Sequence, residues 1–285
     1  MLHTPLCDTA GVQYPLIQGA IAPFTTPELV AAVSNAGGLG SLGAVFRSSE
    51  QVREEIRHTR ELTNRPFAVN FALATPSEEA FAIAVEERPA FISFARGSRG
   101  DLIHRTYDAG IPVIQQVHTV RQANEAVDAE ADIITPRTEA GGLCGTVSTM
   151  ILVPQVGGAV HPVPVVAFGG IADGRGLAAA LVLGAQSVNI GTRFLAANET
   201  PTSDKWKQRI LTAQSEDMVR VEFINDIFPP GPNFYGTAPR ALRTPFIEEW
   251  QPDHKGGRRE APRLQRQLMD ATRTALNRPT QHAIR

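Results

Sequence analysis

One rhythm restricts this chain more than any other feature. Short runs of apolar and β-branched residues alternate with helix-patterned stretches at spacings of roughly 20 to 25 residues, the signature of repeated βα units around a parallel sheet. The runs are PLIQGA from Pro15, LGSLGAV from Leu39, PFAVNFAL from Pro66, AFISFA from Ala90, IPVIQQV from Ile111, ADIITP from Ala131, VPVVAFG from Val163 and SVNIGT from Ser187. Eight such strands are what a closed barrel needs, so the expected fold class is α/β, a (β/α)8 TIM barrel with additional C-terminal helices. The rhythm fails after about residue 195. The expected division is therefore 1–195 for the barrel and 196–285 for a helical extension that returns to pack on it.

Helix signals fill the gaps between the runs. In TTPELVAAVSNAGG, Thr26 stands as N-cap, Pro27 at the first helical position and Gly37 near the end. In SSEQVREEIRHTREL, Ser48 precedes Gln51 by the spacing of a capping box. DGRGLAAALVLGA opens at Asp173 as N-cap and stops near Gly184. Beyond the barrel, TPTSDKWKQRILTAQSEDM reads as an excursion helix, VRVEFI as a short apolar segment, FPPGPNFYGTAP (228–239) as a loop, and APRLQRQLMDATRTALN as an amphipathic helix.

Composition narrows the function classes. A formal charge of −2 with 20% charged residues gives no electrostatic footprint for nucleic acid, so a small-molecule substrate is expected. The two cysteines, Cys7 and Cys144, lie far apart and have no metal-ligand spacing. No apolar run reaches the roughly 18 residues of a membrane span, and MLHTPLCDTAG lacks the order of a signal peptide. The expectation is a cytoplasmic protein with no membrane partner.

Glycines gather where a barrel of this kind holds its ligand. Active sites lie at the C-terminal ends of the strands, and phosphate groups commonly sit in the loops after strands seven and eight. AFGGIADGRG places Gly169 and Gly170 after the seventh run, and NIGTRF places Gly191 and Thr192 after the eighth. Glycine permits close backbone approach, so amide groups there can point at a phosphate while Thr192 adds a hydroxyl. The alternative is that these glycines only turn the chain. Two such sites on adjacent strands, together with EAGGLCG after the sixth, favour a phosphorylated ligand.

These same segments carry a resemblance. PLIQGAIAPFTTPELVAAVSNAGGLGSLGA, FAVNFAL, TEAGG, VAFGGIADGRGLAAALVLGAQSVNIGTRF and APRALRTPFIEEW resemble the nitronate monooxygenase family, formerly called 2-nitropropane dioxygenases, over about residues 9 to 250. Flavin-dependent enoyl-thioester reductases are similar almost as closely. The resemblance implies an FMN cofactor, with contacts falling on Gln18, Gly19, Ala20, Asn70, Gly141, Gly170, Asn189, Ile190, Gly191 and Thr192. FMN rather than FAD agrees with the absence of a G-x-G-x-x-G fingerprint opening an N-terminal βαβ unit. Asn70 also ends an apolar run, where its amide suits either a flavin ring or a loop backbone.

On the substrate side the chain departs from that family. The glycine pair after the sixth strand is usually followed by a histidine that serves the substrate as base or hydrogen-bond partner, and here Leu143 stands there. Pro136 and Arg137 likewise replace a usual glutamine and glycine. Leucine cannot exchange a proton, so a general-base contribution of roughly 10²- to 10⁴-fold is expected to be lost. His118 and Cys144 are the candidates to replace it, against the alternatives of a capping histidine and a small filler. His161 precedes the seventh strand, at the wrong end of a barrel. Arg137 suits an anionic substrate, or else a local pair with an acid such as Glu139. Arg193 and Glu139 are expected in structural ion pairs.

The leading expectation is an FMN-dependent oxidoreductase acting on a small anionic or nitronate-like substrate, with O2 or NAD(P)H as redox partner. Alternatives are an NAD(P)H-dependent enoyl-thioester reductase and a non-catalytic flavin-binding protein. A flavin-free aldolase using a Schiff base is disfavoured, because Lys205, Lys207 and Lys255 all lie outside the eight runs.

Overall fold

Strands buried on both faces carry few polar residues, and that is the character of the eight apolar runs. The computed structural model describes residues 2–21, 23–73, 77–97, 99–228 and 237–276, with backbone only at 143, 144, 254, 255 and 271–276. Each run forms a strand: β1 (Leu16–Gln18), β2 (Gly40–Gly43), β3 (Phe67–Ala72), β4 (Phe91–Ala95), β5 (Val113–Val117), β6 (Ile133–Pro136), β8 (Val166–Phe168) and β9 (Ser187–Ile190). Between β6 and β8 lies a two-residue strand, β7 (Leu143–Cys144).

The eight strands pair in parallel around a closed ring. β2 to β6 form one continuous ladder, and β1, β9 and β8 form a second. Parallel bridges join the two, Ile17 with Leu39 on one side, and Ile134 with Val165 and Arg137 with Phe168 on the other. Side chains alternate between the ring's interior and the surrounding helices. Ile17, Ala68, Phe91, Ile114, Ile133 and Val166 from six strands, with Leu39 immediately before β2, pack in one interior cluster. Leu6 and Ala10 of the N-terminal helix Pro5–Ala10 belong to that cluster and close the barrel floor. The outward residues, among them Leu42, Phe71, Phe94, Val117, Ile134 and Val188, join a larger cluster with helix residues such as Val30, Ile56, Phe81 and Leu102.

Two residues further along each strand the same inward face changes character. Its positions are Gly19, Ser41, Asn70, Ser93, Gln116, Thr135 and Phe168, with Asn189 of β9 in register with Phe168. The barrel is thus apolar below and mostly polar at its mouth.

Several terminal signals appear as expected. Thr26 accepts from Leu29 N, and the Asp173 carboxylate accepts from Arg175 N and Gly176 N at the start of helix Gly174–Val182. That helix, although rich in small residues, buries only Ala180. The extension is not purely helical. Besides helices Asp204–Thr212 and Ala261–Leu276 it contains β10 (Met218–Arg220), which runs from the end of the expected excursion helix into the apolar VRVEFI, and β11 (Ala238–Leu242). Ala238 and Pro239, read from sequence as loop, are strand residues because β11 pairs antiparallel with both β10 and β7; residues 229–236 of that stretch lie outside the described residues.

Ser48 accepts from Gln51 N at 3.2 Å while the Gln51 side chain accepts from Ser48 N at 2.8 Å, a complete capping box on helix Ser49–Leu62. Ser48→Ala is expected to lower unfolding free energy by about 1 kcal/mol in urea denaturation, with an unchanged m-value.

Candidate functional site

Above the polar layer lies a cleft of about 2090 Å³. Its inner wall is built from strand ends: Gly19 and Ala20 after β1, Gln116 on β5, Arg137 and Gly141 after β6, Phe168 to Gly170 at β8, and Asn189, Gly191 and Thr192 at β9. Trp206, Lys207 and Ile210 of the excursion helix, with Met218, Arg240 and Leu242 from β10 and β11, form the outer wall. Pockets for one drug-sized ligand usually measure about 300–1,000 Å³. This one has room for a cofactor and a second molecule together.

Backbone requirements explain two of its glycine sites. Gly169 and Gly170 have φ of +118° and +72°, in the region that favours glycine, and a Cβ on Gly169 would lie 2.5 Å from Thr138 Oγ1. A Cβ on Gly19 would lie 2.6 Å from Asn189 Oδ1 and 3.3 Å from the Ile190 carbonyl. Packing alone therefore demands glycine at 19 and 169, whatever binds. The Asp173 carboxylate already caps the next helix, so an anion is better served by the amides of the Gly170 and Gly191–Thr192 turns. Another glycine string, GLGSLG at 38–43, has dinucleotide-fingerprint spacing but runs into and forms β2 instead of joining a strand to a helix.

The residues singled out from sequence divide into those on the cleft and those behind it. Gly19, Ala20, Gly141, Gly170, Asn189, Gly191, Thr192 and Arg137 line it. Gln18 is buried behind the wall, where its Oε1 accepts from Ser41 N at 2.9 Å and its Nε2 donates to the Gly19 carbonyl, tying β1 to β2. Ile190 packs into the helix-side core, and its carbonyl accepts from Gly19 N at 2.7 Å. Asn70 belongs to the polar layer and is not among the lining residues. Its Nδ2 donates to Ser93 Oγ at 2.7 Å and to the Ser93 carbonyl at 3.3 Å.

Arg137 sits with its guanidinium 4.7 Å above the Phe168 ring, a cation held on an aromatic face at the mouth. Arg193, expected in a structural ion pair, lies instead exposed on the cleft wall with no ion pair among the described residues. The side chains of Leu143 and Cys144 lie outside the described residues. Their backbone is fixed by β11, with Cys144 opposite Ala238 and Leu143 opposite Pro239, and Arg240 N donates to the Gly142 carbonyl at 2.9 Å.

Sequence reading missed Gln116, Thr135 and Phe168. Their facing emerges only from the closed ring, in which each lies two residues beyond an inward apolar residue, Ile114, Ile133 and Val166. Three oxygens of the polar layer, Gln116 Oε1, Thr135 Oγ1 and Asn189 Oδ1, are buried without a hydrogen-bond partner. Such atoms are normally satisfied, and two of the three, on Gln116 and Asn189, belong to residues that line the cleft, where a ligand can supply the donors. A flavin fits this set: glycine amides for a phosphate, carbonyl oxygens for hydroxyl and N–H donors, and the Phe168 ring beside them. Among the described residues no His, Cys, Asp and Glu cluster suits a metal ion.

His118 is not on the cleft wall. Its ring stands behind the β6 loop, with Nδ1 buried beside the Arg137 backbone. Burial first, and the Arg137 charge second, push its pKa down from 6.5 to about 4. An unfolded chain takes up this proton as pH falls below about 6.5, whereas the folded chain resists until about 4, so folding loses stability as pH falls through that window. The loss is on the order of 3 kcal/mol. Unfolding free energies measured across that range are expected to fall less steeply for His118→Gln than for the parent.

Comparison with known proteins agrees with this geometry. The family model described as nitronate monooxygenase matches residues 3–86 and 79–271. A Rhodococcus jostii protein, (3aS,4S,5R,7aS)-5-hydroxy-7a-methyl-1-oxo-octahydro-1H-indene-4-carboxyl-CoA dehydrogenase, is 38% identical over 76% of this chain, which spans 62% of that protein's length. A probable nitronate monooxygenase of Staphylococcus saprophyticus is 34% identical, over 76% of this chain and 75% of its own. Among solved structures, FabK from Thermotoga maritima superposes with a TM-score of 0.84 at 33% identity, covering 92% of this chain and 82% of that one. The chain belongs to the nitronate monooxygenase family of flavin-dependent oxidoreductases.

Proposed function

We propose that this chain is an FMN-dependent oxidoreductase that oxidises a small anionic, nitronate-like substrate. The observation that carries the reading is the pair of glycine turns at Gly170 and Gly191–Thr192, which open onto one cleft from adjacent strands. They suit a single phosphate, and among the described residues the one GxGxxG string, at 38–43, forms β2 and not a strand-to-helix turn. When bound, the flavin supplies the two-electron chemistry. Gly170, Gly191 and Thr192 hold its phosphate, while Arg137 on its Phe168 platform attracts the anion. Position 143 is leucine and His118 stands behind the wall with a pKa of about 4, so the substrate has to arrive already deprotonated.

Heat-released cofactor separated by chromatography tests the first element, and FMN is the expected product. Recovery of FAD, or of no flavin after reconstitution with FMN, would overturn it. Anaerobic flavin reduction tests the second. Preformed nitronates are expected to react faster than the parent nitroalkanes by roughly 10²- to 10⁴-fold, the contribution of a positioned base. Comparable rates would show that another group supplies the base.

A second reading, a reductase or dehydrogenase of acyl-CoA-type thioesters, is favoured by the cleft's volume of about 2090 Å³ and by four basic residues on its walls, Arg137, Arg193, Lys207 and Arg240, against three acidic ones, Glu28, Glu199 and Asp204. The printed name of the Rhodococcus jostii relative points the same way. Rapid flavin reduction by NAD(P)H without nitronate, followed by reoxidation with an enoyl-thioester, would select it. Bound flavin that no donor reduces would select a non-catalytic flavin-binding role.

A further inference from the structure

Ile114 packs in the lower interior cluster, so Gln116, two residues on, faces the barrel axis at the level of the cleft it lines. Its Oε1 is buried and accepts no hydrogen bond. Gln115, on the opposite face, also has a buried, unpartnered Oε1, but it does not line the cleft and its Nε2 is held in place, donating to the Gly97 carbonyl at 3.1 Å and to the Gln116 carbonyl at 2.7 Å. Thr135, the cross-strand neighbour of Gln116, has its own Oγ1 buried and unpartnered, so it does not complete the amide. Pro136, the next residue of β6, offers neither an N–H nor a polar side chain.

A bare amide oxygen in such a place costs about 1–3 kcal/mol unless something entering the cleft donates to it. Its position indicates which part of a ligand that is. The phosphate turns follow β8 and β9, whereas Gln116 stands on β5 with β6 between it and β8. A ligand anchored by phosphate at those turns meets Gln116 with its far, ring-bearing end.

We propose that Gln116 is a positioning residue for the cofactor ring, its Oε1 accepting a hydrogen bond from a ring N–H; the assignment rests on the flavin reading above. An oxidised isoalloxazine has a single ring N–H, flanked by two carbonyls. A side-chain amide complements that edge, its oxygen accepting from the N–H and its NH2 donating to a flanking carbonyl. Leucine at this position would fill similar volume and meet neither need.

The test uses the full chain stripped of cofactor and titrated with FMN and with 3-methyl-FMN, which lacks the ring N–H. Gln116→Leu is expected to bind FMN about tenfold more weakly, with the thermal midpoint of the cofactor-free protein unchanged or raised because the orphaned oxygen is gone. The parent should prefer FMN over the methylated analogue, and that preference should shrink in the variant. Should Gln116→Leu fail to fold, Gln116→Asn, which withdraws the amide by one methylene, should show the same reduced preference. Unchanged FMN affinity, or an affinity loss matched by a fall in the cofactor-free midpoint, would overturn the assignment and leave the flavin reading standing. A parent chain that takes up no FMN would overturn both.

Discussion

Parallel pairing around a closed ring is the constraint on which the rest of this molecule depends. Once β1 to β6, β8 and β9 are in register, every second side chain of every strand has to share the barrel axis with seven others. At the lower level that company is Ile17, Leu39, Ala68, Phe91, Ile114, Ile133 and Val166, sealed from below by Leu6 and Ala10. At the upper level it is mostly polar, with part of its hydrogen-bonding capacity unspent. A dry core and a ligand floor are therefore consecutive layers of one object, and the rigidity of the first fixes the geometry of the second.

The β6 loop, which carries Pro136, Arg137 and Leu143, is not left to set its own shape. Arg137 N donates to the Val117 carbonyl at 2.7 Å, Thr138 Oγ1 bonds the Phe168 carbonyl at 3.0 Å and Thr149 Oγ1 at 2.8 Å, and β7 pairs with β11. His118 occupies the space behind. Its low pKa follows from the same packing, since an imidazole pressed against this loop with a guanidinium nearby is held in its neutral form. This stretch of the cleft wall thus rests on a backbone braced from three directions.

Much of this was legible in the sequence. The eight apolar runs became the eight barrel strands, and the caps at Thr26, Ser48 and Asp173 lie where the local pattern predicts. Those signals are local and follow from backbone chemistry. Strand facing was harder to read, because a run buried on both sides has no alternation to follow: the adjacent glutamines of VIQQV look alike in sequence, yet one braces a loop and the other faces the cleft. Gln18 shows the opposite limit. The resemblance assigns it to the flavin, while its amide is engaged between β1 and β2. β7 and β11 escaped because each is short and its partner is remote, so the pairing leaves no trace within any local window.

That pairing also bears on the order in which the molecule comes into being. Synthesis proceeds from the N-terminus and structure accumulates behind the ribosome, so all eight barrel strands emerge before β11 does. Until then β7 has no edge to bind, and the loop beside the cleft lacks one of its braces. The ligand site reaches its final form only as β11 arrives, and a nascent polypeptide carrying a complete ring of strands would still be an unfinished receptor.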